Sequence, residues 1–102
     1  MTYAKKTDKN QQEIMDALRK HGAFVVDMSK VGKGFPDLVV AYDNTHTILM
    51  EVKSSEKALY TKEQLKFMAN WIGGPLVRVN DVESALRVLR MIDAEKETQK
   101  AN

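Results

Sequence analysis

The chain predicts an α/β fold of element order αβββαβα, a mixed sheet flanked by helices. Three observations carry this reading. Two apolar runs, Gly34–Tyr42 and Thr47–Lys53, flank the polar segment Asp43-Asn44-Thr45-His46, the pattern of a β-hairpin. Amphipathic helical patterns stand on both sides of that hairpin. Beyond it, an apolar strand, a helix and a second strand follow at a spacing that implies a crossover and parallel pairing between Met50–Lys53 and Leu76–Val79.

From about Asn10 to His21 the pattern is a helix stopped by Gly22, with Ile14, Ala17, Leu18 and His21 on one arc at about 100° per residue. Glu13 lies on the border of that arc, where a solvent-facing carboxylate and one leaning toward the sheet fit equally well. His21 reads as a helix-end residue whose charge favours the C-terminus. Ala23–Asp27 is the first strand. The loop Met28–Gly34 carries two glycines and two lysines, so its backbone can approach a partner while Lys30 and Lys33 supply charge. A connection with solvated lysines is the plainer reading.

With the hairpin turn centred on Asn44, Asp37 falls opposite Glu51 and Phe35 opposite Lys53; a bulge or a longer loop would shift this register. Side chains alternate along a strand, so Glu51 and Lys53 share a face. Opposed residues on one face have Cβ atoms roughly 5 Å apart, close enough for two carboxylates to hold one cation. Unscreened, that pair would repel. A hard divalent ion such as Mg²⁺ or Mn²⁺ suits oxygen ligands, and the chain has no cysteine for a softer metal. Lys53, one pleat along, then faces the anion that the ion recruits, which makes a phosphate site. Against this stand the commonness of Pro-Asp in turns and of solvated Glu-x-Lys strand faces.

Ser54–Tyr60 is a loop that includes Lys57. Thr61-x-x-Gln64 is a capping-box pattern opening a helix to about Ile72. At 3.6 residues per turn that helix collects Phe67, Trp71, Gln64, Met68, Ile72, Leu65 and Ala69 on one apolar arc, with Trp71 expected in the core. Gln64 inside the arc needs partners, either in the cap or in the metal site. Lys62 and Lys66 lie outside the arc, where a DNA backbone or water alone would account for them. Gly73-Gly74-Pro75 stops the helix, Leu76–Val79 is a strand, and Asn80-x-x-Glu83 caps a last helix with Val82, Ala85, Leu86, Leu89 and Ile92 as its packing stripe.

At 102 residues the chain is expected to form one domain, with the polar segments 1–9 and 94–102 fraying. Sixteen basic and 14 acidic residues leave a net charge of +2, so nucleic-acid binding would depend on where lysines are placed and not on bulk attraction. No stretch approaches the roughly 20 apolar residues of a membrane span, and a signal-peptide core is lacking. A soluble, cytoplasmic protein with no membrane partner is expected, and the absence of cysteine is compatible with that.

Pro36-Asp37 followed by Glu51-Val52-Lys53 resembles the PD-(D/E)xK nuclease signature. More narrowly, Lys33–Leu38, Met50–Lys53 and Thr61–Gln64 are similar to the VRR-NUC branch and its small stand-alone viral and bacterial members, over about Gln11 to Leu89. The resemblance implies a restriction-endonuclease-like core and Mg²⁺- or Mn²⁺-dependent hydrolysis of DNA. It implies a metal held by Asp37, Glu51 and the Val52 carbonyl, with Glu13 as an additional ligand. Lys53 would orient water or stabilise the transition state, and Gln64 would reach toward the site. Lys30, Lys33, Lys57, Lys62 and Lys66 would meet the DNA backbone. The stand-alone relatives suggest a homodimer resolving four-way junctions. The alternatives are a nuclease for flaps or linear ends and a nucleic-acid-binding module without catalysis.

Overall fold

The computed structural model describes the backbone of residues 3–101 and the side chains of residues 10–100. Its elements are α1 (Tyr3–Lys20), β1 (Phe24–Asp27), β2 (Leu38–Tyr42), β3 (His46–Val52), α2 (Lys62–Asn70), β4 (Leu76–Val79) and α3 (Val82–Ala101). The strands form one sheet in the order β1-β2-β3-β4, antiparallel except for the parallel β3–β4 pair. This is the αβββαβα order expected from the sequence.

The central hairpin pairs Leu38 with Met50, Val40 with Ile48 and Tyr42 with His46. That is the register obtained by centring the turn on Asn44. Asp43 and Asn44 take left-handed φ values of 61° and 58°, a conformation that short polar side chains tolerate and β-branched ones resist. The turn residues therefore set which side chains face each other as far along the hairpin as Leu38 and Met50.

Alternation then divides the sheet into two unlike faces. On one, Val25, Leu38, Val40, Ile48, Met50, Val52 and Val79 form a core with Ile14, Met15 and Leu18 of α1 and Ala85, Leu89 and Ile92 of α3. His21, just past α1, and Tyr42 both meet Asp93 of α3, at 3.1 and 2.6 Å. Glu51 and Lys53 belong to the other face, the side approached by α2.

Several boundaries differ from expectation. Helical backbone begins at Tyr3 in the first helix and runs to Ala101 in the last, beyond the apolar stripes that mark both helices in the sequence. Lys5, Lys6 and Lys9 in the first helix and Glu95, Lys96, Glu97 and Gln99 in the last favour helix without leaving an apolar stripe to mark its limits. The cap of α3 is Asp81 and not Asn80: its carboxylate accepts the Ser84 N–H at 2.7 Å, while the Ser84 hydroxyl accepts the N–H groups of Asn80 and Asp81. Glu83 instead pairs with Arg90 on the surface.

The largest departure concerns α2. It buries no residue completely and ends at Asn70, and Trp71 has extended backbone at φ −74°, ψ 121°. Leu65, Ala69, Trp71 and Ile72 are exposed; only Gln64, Phe67 and Met68 of the expected arc are half-buried. The helix is held at its first turn, where Gln64 meets Glu51 and Lys53, and by aromatic contacts, not by a broad apolar seam.

Leu38, fully buried and adjacent to Asp37, ties the core to the opposite face. Leu38→Ala is expected to cost about 2–5 kcal/mol of unfolding free energy, read as a lowered midpoint in urea at an unchanged slope.

Candidate active site

Continuing the β2–β3 register beyond Leu38–Met50 sets Asp37 opposite Glu51 and Pro36 opposite Val52. The Val52 N–H donates to Asp37 Oδ2 at 2.9 Å, closing the end of the hairpin with a side chain instead of a ladder bond. The N–H and C=O of one strand residue point to the same side. The Val52 carbonyl thus faces Pro36, which has no N–H to offer it. Two carboxylates and one backbone carbonyl without a ladder donor form an oxygen set that fits a hard divalent cation.

Glu51 is 4% exposed, and with Gln11 it is one of the two buried polar side chains among the described residues. Burial first, and the Asp37 charge second, push its carboxyl up to about 7. Asp37 is raised as well, chiefly by burial, against the lowering effect of the Val52 N–H. Burial outweighs the hydrogen bonds at both acids, and the Asp37 charge adds to it at Glu51, so the pair is short of positive charge.

Among the described residues the ammonium at the pair is that of Lys53, 3.7 Å from Glu51 Oε2. Gln64 locks it in place. The Gln64 amide N–H donates to Glu51 Oε2 at 2.7 Å, and its Oε1 accepts from Lys53 Nζ at 2.7 Å and from the Thr61 N–H at 2.9 Å. Thr61 Oγ1 accepts the Gln64 N–H in return. The capping role and the site role are thus filled by the same amide, since Oε1 has two lone pairs and the amide nitrogen is free to donate elsewhere.

Two residues passed over in the sequence brace this arrangement. Arg78 is the β4 neighbour of Glu51, yet its guanidinium donates to the carbonyls of Ser55, Glu56 and Ala58. It lies 5.1 Å from the Tyr60 ring, while Lys53 Nζ lies 5.3 Å from the same ring, within cation–π range. Arg78 therefore shapes the loop leading to Thr61. The signal was present, because a charge interrupts an apolar strand there as it does at Glu51. Gln11 is the other: buried on α1, it donates to Asp27 Oδ1. The hydrogen bonds of Ser29, ahead of that of Gln11, hold Asp27 below the usual carboxylate range.

Glu13 does not join the pair. It is exposed on α1, which packs on the sheet face opposite Glu51, and among the described residues no three His, Cys, Asp or Glu side chains gather as a metal cluster. Lys30, Lys33, Lys57, Lys62 and Lys66 are all exposed. Lys33 sits in a run of left-handed residues with Gly32 and Gly34, at φ 76°, 55° and 82°. Gly34 presses on α2 so closely that a Cβ there would lie 2.2 Å from the Glu63 carbonyl oxygen. This brings Lys33 beside Lys66, whereas Lys30 stays near Asp27.

A carboxyl raised from 4.5 to about 7 by folding binds more protons folded than unfolded across that interval. Its contribution to stability therefore declines as pH rises through the window. Without metal, Glu51→Gln is expected to be more stable than the unsubstituted chain by roughly 1–3 kcal/mol at about pH 8, and so to melt at a higher temperature, with the difference vanishing near pH 5. Calorimetry at the two pH values measures it; equal melting at both would mean that Glu51 carries no such strain.

Comparison with known proteins bears on the same residues. The family model described as "VRR-NUC domain" matches residues 2–75, a span that contains Asp37, Glu51, Val52, Lys53 and Gln64 but not Arg78. A solved structure titled "VRR_NUC domain" is 22% identical, covers 83% of this chain and 95% of its own, and superposes with a TM-score of 0.70. At that identity the likeness establishes the fold. No curated protein matches the chain.

Proposed function

The chain belongs to the VRR-NUC domain family, and from that footing we propose that it is a Mg²⁺- or Mn²⁺-dependent deoxyribonuclease with Asp37, Glu51, Lys53 and Gln64 at its centre. Family membership makes it a nuclease-type domain with DNA as the implied substrate. The observation that carries the finer reading is the buried Glu51 set opposite half-buried Asp37 and bridged to Lys53 through Gln64.

A divalent cation held by Asp37, Glu51 and the Val52 carbonyl would supply Lewis acidity to the scissile phosphate and a lower pKa to attacking water. The remaining work falls to side chains. Lys53 places its ammonium where negative charge builds on the phosphate oxygens and orients the water. Gln64 prevents that ammonium from closing fully on Glu51, because its Oε1 takes one of the three N–H donors. Burial of Glu51 keeps bulk water from screening these interactions. Lys30, Lys33, Lys57, Lys62 and Lys66 contact the DNA backbone.

One such pair cuts one strand. Paired incision calls for two chains, and a twofold dimer matches the symmetry of a four-way junction. Phe24 and Val26, 70% and 37% exposed on the edge strand β1, leave apolar surface of the kind that a second copy covers. Sedimentation at working concentration is expected to give a dimer, and a strict monomer would count against coordinated cutting.

Asp37→Ala is expected to abolish metal-dependent cleavage. Lys53→Ala is expected to lower kcat by about 10²-fold or more, with a smaller effect on DNA binding. A gel assay with a four-way junction, a flap and a linear duplex, each with and without Mg²⁺, reads out the class. Cleavage favouring the junction supports the resolving reading, and flap or end cutting replaces it. Salt-sensitive binding with no cleavage on any substrate would make the chain a binding module.

A further inference from the structure

Along one side of α2, Glu63, Lys66, Phe67 and Asn70 follow one another at helical spacing, and Trp71 stands just past the helix end. With Lys33 from the β1–β2 loop they line a cavity of about 460 Å³, the size of a small-molecule site. Phe67 and Trp71 stack with centroids 5.6 Å apart and planes 17° from parallel, and Phe35 meets Phe67 edge-on at 5.3 Å. The tryptophan is clamped. Its indole N–H donates to the Gly74 carbonyl at 2.7 Å, and a Cβ on Gly73 would fall 2.4 Å from the ring. With the N–H satisfied, the 38% of Trp71 that stays exposed offers π-surface and no unmet donor.

We propose that this cavity binds an unpaired nucleobase of the DNA substrate, stacked on Trp71 and Phe67, with its flanking phosphates on Lys33 and Lys66. An aromatic platform edged by cations is the arrangement that takes single-stranded nucleic acid, since every base has a π-face and every linkage a charge. The two ammonium groups outnumber the single carboxylate of Glu63. The Asn70 amide nitrogen is committed to the Lys66 carbonyl, which leaves its oxygen as an acceptor for a base edge. Placement ties the cavity to the scissile centre, because Glu63 precedes Gln64, whose amide touches both Glu51 and Lys53. A strand with one phosphate at Lys53 thus passes the cavity. Bases within a duplex are already stacked on their neighbours, so the site favours DNA with a base free to leave the stack. The proposal rests on the nuclease reading for its substrate.

Trp71 is the only tryptophan in the chain, so its emission reports on the cavity directly. The full-length Glu51→Gln protein is titrated with a short oligothymidylate, with an abasic oligonucleotide of equal length and with a blunt hairpin duplex. Saturable quenching by oligothymidylate is expected, with at least several-fold weaker binding and little quenching by the other two. By anisotropy of a labelled oligothymidylate, Trp71→Ala weakens binding about 5- to 100-fold and Trp71→Phe restores most of it. Unchanged emission, or equal binding of the abasic strand, would overturn the proposal by showing that lysines hold backbone alone. The abasic comparison decides even if Trp71→Ala does not fold. Cleavage of any of a four-way junction, a flap and a linear duplex by the unsubstituted chain in Mg²⁺, assayed in parallel, separates the two readings. Quenching without cleavage defeats the nuclease assignment and leaves the cavity, and cleavage without quenching does the reverse.

Discussion

Asp37 and Glu51 are held against each other by the register of one hairpin, and the surrounding structure can be understood as a response to that repulsion. Burial raises the proton affinity of both, and the Asp37 charge adds to it at Glu51, a cost that a fold carries only if other groups compensate. The Val52 N–H steadies Asp37, the Gln64 amide steadies Glu51, and Lys53 is kept close without fully neutralising either. Polar groups this deep are specific because each has so few ways to be satisfied. The result is a preorganised anionic cradle with room for charge from outside.

The sheet makes this affordable by dividing its labour between faces. Both long helices pack on one side, where Ile14, Leu18, Leu38, Val40, Met50, Ala85 and Leu89 are essentially inaccessible to water. That side supplies the hydrophobic stabilisation of the domain. The other face is left nearly free of helix packing, so α2 is positioned by its capping box, by the close approach of Gly34 and by the Phe35–Phe67–Trp71 stack. A helix with no fully buried residue is a poor contributor to stability and a good carrier of functional side chains. Gln64 on its inner side and the aromatic cavity on its flank are both products of that arrangement.

Arg78 shows how a neighbouring charge is kept from spoiling the cradle. It stands beside Glu51 in the parallel ladder, and a direct ion pair would cancel the negative charge on which the proposed chemistry depends. Three loop carbonyls and the Tyr60 ring engage its guanidinium instead. The planar fork of arginine suits several carbonyls at once, which a lysine ammonium would not hold in the same geometry.

The hairpin and its register were legible because local chemistry decides them: Asp43 and Asn44 accept left-handed backbone, and strict alternation then dictates which residues face each other. The same holds for the Thr61–Gln64 cap and for the stripe of α3, where short-range spacing is the whole cause. The helix limits at Tyr3 and Ala101 were not legible, since polar helix formers leave no periodic mark. Nor was the exposure of Trp71 and Leu65. An apolar arc says only that a surface would gain by being covered, and whether a partner surface is there depends on what the far strands present. Glu13 illustrates the same limit, because its distance from Glu51 follows from which face of the sheet α1 occupies. Sequence alone determined the elements and the facing pairs, through interactions within a few residues or across one turn. Tertiary structure alone decided which face each helix covers, that Glu13 stands apart from Asp37 and Glu51, and that one glutamine serves cap and site together, because those depend on packing between segments that no local pattern records.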